Sequence, residues 1–146
     1  MDSAAARIEQ LGLIAHPEGG WYRETWRGDP GADGRAGGTA IIFLLRGGEA
    51  SHWHRVDASE LWIWQAGDPL ELRLSASDEG PVRSVVLGSD MAAGQQLQGL
   101  VAPHEWQAAR PHGASQHGYS LVSCVVVPGF DFAGFTLAAA GWEPGA

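Results

Sequence analysis

The chain predicts an all-β domain with one helix at its N-terminal end, and three observations carry that prediction. Short apolar runs recur with the period-two alternation of strands, most plainly in Leu70-Glu71-Leu72-Arg73-Leu74. Glycine and proline clusters punctuate the runs instead of forming one linker, as in Arg46-Gly47-Gly48, Ala66-Gly67-Asp68-Pro69, Asp78-Glu79-Gly80-Pro81, Gly88-Ser89-Asp90 and Pro128-Gly129. Only Ser3 to Leu13 carries a helical pattern. Many short strands joined by such turns describe a barrel or a sandwich.

Taken in order, Asp2 or Ser3 can cap the helix, Ile8 and Leu11 share one face, and Gly12 can end it. Strands are predicted at Trp21 to Trp26, Thr39 to Leu45, Leu61 to Gln65, Leu70 to Leu74, Val82 to Leu87 and Tyr119 to Val127. Gly28 to Gly38 reads as a mobile surface loop and Pro111 to Gly118 as a shorter one. No internal repeat or low-complexity segment interrupts the sequence.

A length of 146 residues with 45% hydrophobic content suits a single domain spanning the chain. The net charge of −8, with basic residues scattered, argues against nucleic acid or an anionic membrane as partner. Cys124 is the only cysteine and lies in an apolar run, so it reads as a buried strand residue rather than a reactive thiol. The start lacks the basic-then-apolar pattern of a secretory signal, and no apolar run is long enough to span a bilayer, so a cytoplasmic location is expected.

The chemistry concentrates in His52-Trp53-His54, followed by Glu60 and then Gly67. Two histidines two apart on an extended segment project to one side of a sheet, where a carboxylate from the next segment can meet them. Two imidazoles and a carboxylate suit a divalent transition metal. Trp62 and Trp64 share the Glu60 face by alternation, and a carboxylate among such rings is either paired or protonated. Trp62, Trp64 and Trp106 flank these positions and could line a ligand pocket, or fill a core or dimer interface. In Trp21-Tyr22-Arg23-Glu24-Thr25, either Arg23 or the pair Tyr22 and Glu24 could face the pocket as positioning or acid–base groups. His16-Pro17-Glu18-Gly19-Gly20 reads as a turn between helix and strand, His112 and His117 as exposed loop residues, and Asp131 as the residue that fixes its turn.

The order His-x-His, Glu, Gly resembles the first motif of the cupin superfamily. The whole chain is similar to a small single-domain branch of that superfamily with no assigned function. The residues that carry the likeness are HPEGGWYRETWR (His16 to Arg27), SHWHRVDASELW (Ser51 to Trp62), AGDPLEL (Ala66 to Leu72), WQAAR (Trp106 to Arg110), VPGFDFAGFTLA (Val127 to Ala138) and GWEP (Gly141 to Pro144).

The resemblance implies a double-stranded β-helix (jelly-roll) barrel with a short N-terminal helix, and a homodimer. It implies a metal in the barrel mouth (iron, zinc, nickel or manganese) held by His52, His54, Glu60 and, from the second motif, Gln107. That last position is usually a histidine, and His104 is the alternative. The function implied is binding of a small polar or sugar-like metabolite, with isomerase, epimerase, lyase or oxygenase chemistry open. A non-catalytic binding module, and a metal-free epimerase with His54 as base and Tyr22 as acid, are the alternatives.

Overall fold

A computed structural model describes residues 3–146. Helix α1 spans Ser3–Leu11, and Asp2, one of the two predicted caps, lies outside the described residues. Gly12 closes the helix in the left-handed conformation at φ 66°, and the Leu13 amide returns 2.9 Å to the Ile8 carbonyl. The apolar side of α1, at Ala4, Ile8 and Leu11, lies with Leu13 on Leu44 and Tyr119.

The strands form two antiparallel sheets. One holds, in spatial order, β1 (Ile14–Ala15), β2 (Trp21–Arg27), β3 (Thr39–Arg46), β10 (Tyr119–Val127), β5 (Ser59–Gly67) and β8 (Gln98–Val101). The other holds β11 (Phe135–Leu137), β4 (Ser51–Val56), β9 (Trp106–Pro111), β6 (Leu70–Ser75) and β7 (Arg83–Leu87). Neighbours in space are seldom neighbours in sequence, because the chain crosses repeatedly from one sheet to the other.

The interior is divided along the strands. At one end Phe43, Leu45, Trp62, Leu70, Leu72, Leu74, Leu87 and Val122 form an apolar plug, each nearly inaccessible to solvent. Moving along the same strands, β3 offers Ile41 and Thr39, β5 offers Glu60, and β10 offers Cys124 and Val126, all lining a cavity. Register fixes this: Cys124 pairs with Ile41 and Trp62, and Val126 with Thr39 and Glu60. Alternation therefore carries three adjacent strands from plug to cavity.

The predicted strands are present, with ends moved by a residue or two. Strands β1, β8, β9 and β11 are not among the predicted ones, and β4 is anticipated only as an extended segment around His52-Trp53-His54. In β8 the inward pair is Gly99 and Val101, and in β9 the buried run is Trp106, Gln107, Ala108 and Ala109, so small or polar residues hide the period. The segment 28–38 is a pinned hairpin rather than a mobile loop. Gly28 donates to Gly38 at 2.8 Å, Gly31 to Arg35 at 2.8 Å and Gly37 to Asp29 at 3.0 Å.

Gly67 turns the chain between β5 and β6 at φ 82°, and a Cβ there would run into the Tyr119 carbonyl oxygen and sit 2.9 Å from the Tyr119 ring. Gly67→Ala should cost about 1–3 kcal/mol from this strain and clash. Chemical denaturation checks it, and an unchanged midpoint would contradict the packing described.

Candidate functional site

Strand β2 decides which of its side chains enter the barrel. Tyr22 pairs with Phe43 and Glu24 with Ile41, both inward positions, so Tyr22 and Glu24 point inward. Arg23 pairs with Ile42 on the outer face and is exposed. A bulge between Glu24 and Trp26 then exchanges the faces. Simple alternation would carry Trp26 inward; instead it turns out, and Arg27 lines the cavity.

The floor of the cavity is built on His54. Its Nδ1 lies 2.7 Å from the His52 carbonyl oxygen, which can only accept, so Nδ1 carries a proton. Its Nε2 lies 2.9 Å from Glu18 Oε2. With Glu18 ionised, both ring nitrogens donate and the ring is an imidazolium. Burial opposes that charge, yet Glu18, with Glu60 behind it, lifts the His54 pKa to about 9. Burial opposes the Glu18 charge too, and His54 outweighs it, holding that carboxyl below its ordinary range. Glu18 reaches this position from the turn between β1 and β2. Gly19 lies so close to Ala50 that a Cβ would strike the Ala50 carbonyl, and the His52 amide donates to Glu18 O at 2.7 Å.

Glu60 lies on the same floor with less help. Gln107 Nε2 donates to Glu60 Oε1 at 3.0 Å, and Trp62 Nε1 donates to Gln107 Oε1 at 2.9 Å. The indole can only donate, which fixes the amide orientation. Cys124 completes the surroundings, with its thiol beside the carboxyl. Burial drives the Glu60 pKa up to about 7; His54 opposes the rise and the negative Glu18 adds to it. Burial likewise keeps the Cys124 thiol well above its ordinary value. His16 stands beside Tyr22 with ring centroids 4.4 Å apart, and its Nδ1 accepts the Glu18 amide at 3.1 Å. Burial lowers its pKa, so this imidazole is neutral.

The cavity has a volume of about 380 Å³. Arg27, held by Glu24 at 2.8 and 2.9 Å, and Arg35, forked onto Asp57 at 2.8 and 3.0 Å, line it, together with Phe130 and Phe132. Asp131 also lines it, and its carboxylate accepts the Ala133 amide at 3.0 Å, as its predicted turn role requires.

Of the four predicted metal ligands, His54, Glu60 and Gln107 converge on this floor. His52 does not. Strand β4 advances from Ser51 to His54 while β9 advances only from Ala109 to Gln107, so one extra residue is inserted and the two histidines leave the same face. His52 Nε2 instead meets the Ala139 carbonyl at 2.9 Å. The remaining donors are committed as well. Both His54 nitrogens and the Gln107 oxygen have partners, and among the described residues no three His, Cys, Asp or Glu side chains are grouped to hold a metal ion. As arranged, the donor set does not fit a divalent metal.

The remaining candidates disperse. Trp62 belongs to the plug, and Trp64 borders a separate groove with His112 and His117. Trp106 lies tilted against Trp142, ring centroids 4.6 Å apart, on the outer face of its sheet. His104 is exposed in a turn at φ 66°. Sequence reasoning missed Glu18 as a site residue, because His16-Pro17-Glu18-Gly19-Gly20 is fully accounted for as a turn. Its signal is indirect: a carboxylate at a turn that two glycines allow to lie against another strand.

Two facing antiparallel sheets closed around a pocket with an N-terminal helix make this a double-stranded β-helix barrel. The family model described as "Cupin superfamily (DUF985)" matches residues 5–138, and the chain belongs to that family. A solved protein from Shewanella oneidensis is 40% identical, with a TM-score of 0.86 over 95% of this chain and 86% of that one. A hypothetical protein from Leishmania major is 35% identical, with a TM-score of 0.82 over 93% of this chain and 87% of that one. An oxalate decarboxylase from B. subtilis, 10% identical, shares the fold with a TM-score of 0.60 over 85% of this chain and 29% of its own length. Among the described residues no helix is long and apolar enough to cross a membrane.

Removing one member of a buried ion pair strands the other, so Glu18→Gln should cost about 3–5 kcal/mol in urea denaturation. The folded-state pKa of His54 is raised from 6.5 to about 9, so the stability it contributes is complete below 6.5 and lost as pH rises through about 9. Glu60, raised from 4.5 to about 7, loses its contribution over that lower window in the same direction. The Tm should therefore fall as pH rises from about 6 to about 9.5, and the upper part of that fall should flatten in Glu18→Gln. A Tm that climbs over this range would contradict the charge assignment.

Proposed function

We propose that the barrel cavity binds a small polar, sugar-like metabolite and moves a proton on it without a metal, as an isomerase or epimerase does. One observation carries this reading. Two buried carboxylates, Glu18 and Glu60, share a single buried cation, His54, on the floor of a cavity large enough for a metabolite. Glu18 takes the cation at 2.9 Å, which leaves Glu60 as the carboxyl able to gain and lose a proton.

In this reading Glu60 removes a proton from carbon next to a carbonyl of the substrate. The His54 charge stabilises the negative charge that builds on the substrate oxygen. The Tyr22 hydroxyl or the His16 Nε2–H, both on the cavity wall, supplies a proton to the other side, and proton exchange with solvent resets the groups. Arg27 and Arg35 arrive already paired with Glu24 and Asp57, which favours a polar ligand of little net charge over a strong anion. The metal-dependent reading would require His54 to release Glu18 and His52 to turn from Ala139.

The test is substrate-dependent exchange of carbon-bound hydrogen in D2O, followed by NMR across a panel of keto sugars and hydroxy ketones. An active compound should give kcat/KM that rises through about pH 7 as Glu60 ionises and falls through about pH 9 as His54 discharges. Glu60→Gln should lower the rate by about 100-fold or more, and chelator treatment should leave the wild-type rate unchanged. Activity that chelator abolishes and one added metal restores would defeat the proposal, as would a fully active Glu60→Gln.

A further inference from the structure

His16 lines the cavity with one ring nitrogen engaged and the other free. The Glu18 amide donates to Nδ1 at 3.1 Å, and a backbone N–H can only donate. Nδ1 therefore presents its lone pair, and the neutral ring carries its proton on Nε2. Among the described residues Nε2 has no hydrogen-bond partner, although the side chain is only 6% exposed. Nor is it one of the unpartnered side-chain atoms sealed from solvent, which are Arg46 Nε, Ser51 Oγ and Arg73 Nε. The space it opens on is the cavity. An N–H buried to this degree and left unpaired is destabilising until a ligand atom completes it.

The ring is fixed before any ligand arrives. Tyr22, Phe43 and Phe135 surround it edge-on, with centroids 4.4, 5.9 and 6.4 Å away. Its backbone is pinned as well, since the His16 amide donates to Gly20 O at 2.9 Å and the Gly19 amide donates to His16 O at 3.0 Å. Glu18 Oε2 lies 3.9 Å from His16 Nδ1 and 2.9 Å from His54 Nε2, so two imidazoles flank one carboxylate oxygen on the same floor. The donors nearby are engaged. Both His54 nitrogens are bonded, Gln107 Nε2 meets Glu60, and Arg27 and Arg35 hold Glu24 and Asp57.

We propose that His16 Nε2–H binds the carbonyl oxygen of an α-hydroxy carbonyl compound, a neutral ketose, aldose or smaller hydroxy ketone, and that the site shifts its carbonyl to the neighbouring carbon. This rests on the proton-transfer reading above and names the substrate class for it. A fixed donor with no accepting capacity selects a carbonyl oxygen. The Tyr22 hydroxyl beside it rotates and can donate or accept, which suits the adjoining hydroxyl of the substrate. Burial keeps the imidazole neutral, so it exerts no pull on a carboxylate or phosphate.

The step balances within the substrate. The Glu60 carboxylate takes the hydrogen from the hydroxyl-bearing carbon, the C–H pair becomes a C=C bond, and the carbonyl π pair moves onto the oxygen that His16 holds. The hydroxyl proton crosses to that oxygen from its neighbour. The neighbour then closes the new carbonyl while the C=C pair recovers the proton from Glu60 at the former carbonyl carbon. Glu60 and His16 end as they began.

Exchange in D2O, run on hydroxy ketones and on the same ketones without the α-hydroxyl, separates this assignment from the reading beneath it. An active hydroxy ketone should exchange at its carbinol carbon and yield the carbonyl-shifted isomer, and its deoxy counterpart should react about 100-fold more slowly or worse. His16→Phe keeps a ring against Tyr22 but has no N–H, and should lower kcat/KM about 100-fold. His16→Gln, whose amide can still donate, should recover part of that loss. Independently of turnover, long-range proton–nitrogen NMR of the wild type near neutral pH should find His16 protonated at Nε2 and bare at Nδ1. A proton on Nδ1 overturns the assignment even if neither variant folds. So does exchange that needs Glu60 yet survives His16→Phe intact, or that runs equally well without the α-hydroxyl; both leave the proton-transfer reading standing. A wild type that exchanges no compound overturns both.

Discussion

One buried positive charge serves two buried carboxylates, and the chemistry of the barrel depends on that imbalance. The His52 carbonyl fixes the His54 ring from one side and Glu18 fixes it from the other. Neither nitrogen is free, so the ring keeps its charge and its orientation without a metal. Among the described residues, the second carboxylate, Glu60, is met by the Gln107 amide, the neighbouring Cys124 and a cation already engaged. Burial in such company disfavours ionisation, and that leaves Glu60 between its two protonation states near neutrality.

The fold makes this arrangement sustainable by dividing its interior. A plug of leucines, phenylalanine and tryptophan supplies apolar burial at one end and leaves the other end to polar groups. Trp62 joins the two halves: its ring sits in the plug while its indole N–H orients Gln107, which in turn holds Glu60. A residue that looks like a ligand platform in the sequence thus acts through the amide beside it. The bulge in β2 sets both faces of the six-stranded sheet at once by sending Arg27 in and Trp26 out.

Much of the fold was legible because strand alternation is local. The runs at Thr39 to Leu45, Leu70 to Leu74 and Tyr119 to Val127 announce themselves by residue type, and Gly67 marks a turn that only glycine fits. Where inward positions are small or polar, as in β8 and β9, the pattern vanishes. The site was legible in part. His54, Glu60 and Gln107 stand out in the sequence and converge on the cavity floor, whereas His52 and Arg23 face elsewhere and Glu18 reads locally as part of a turn.

The sequence by itself determined the strand periods, the single helix, the family likeness and the residue types available for chemistry. All of these follow from neighbours along the chain. Only the tertiary structure decided which side chains share the cavity, because one inserted residue in β4 and another in β2 exchange the faces of everything beyond them. It alone brought Glu18 to His54, a contact between a turn and a distant strand that no local pattern encodes.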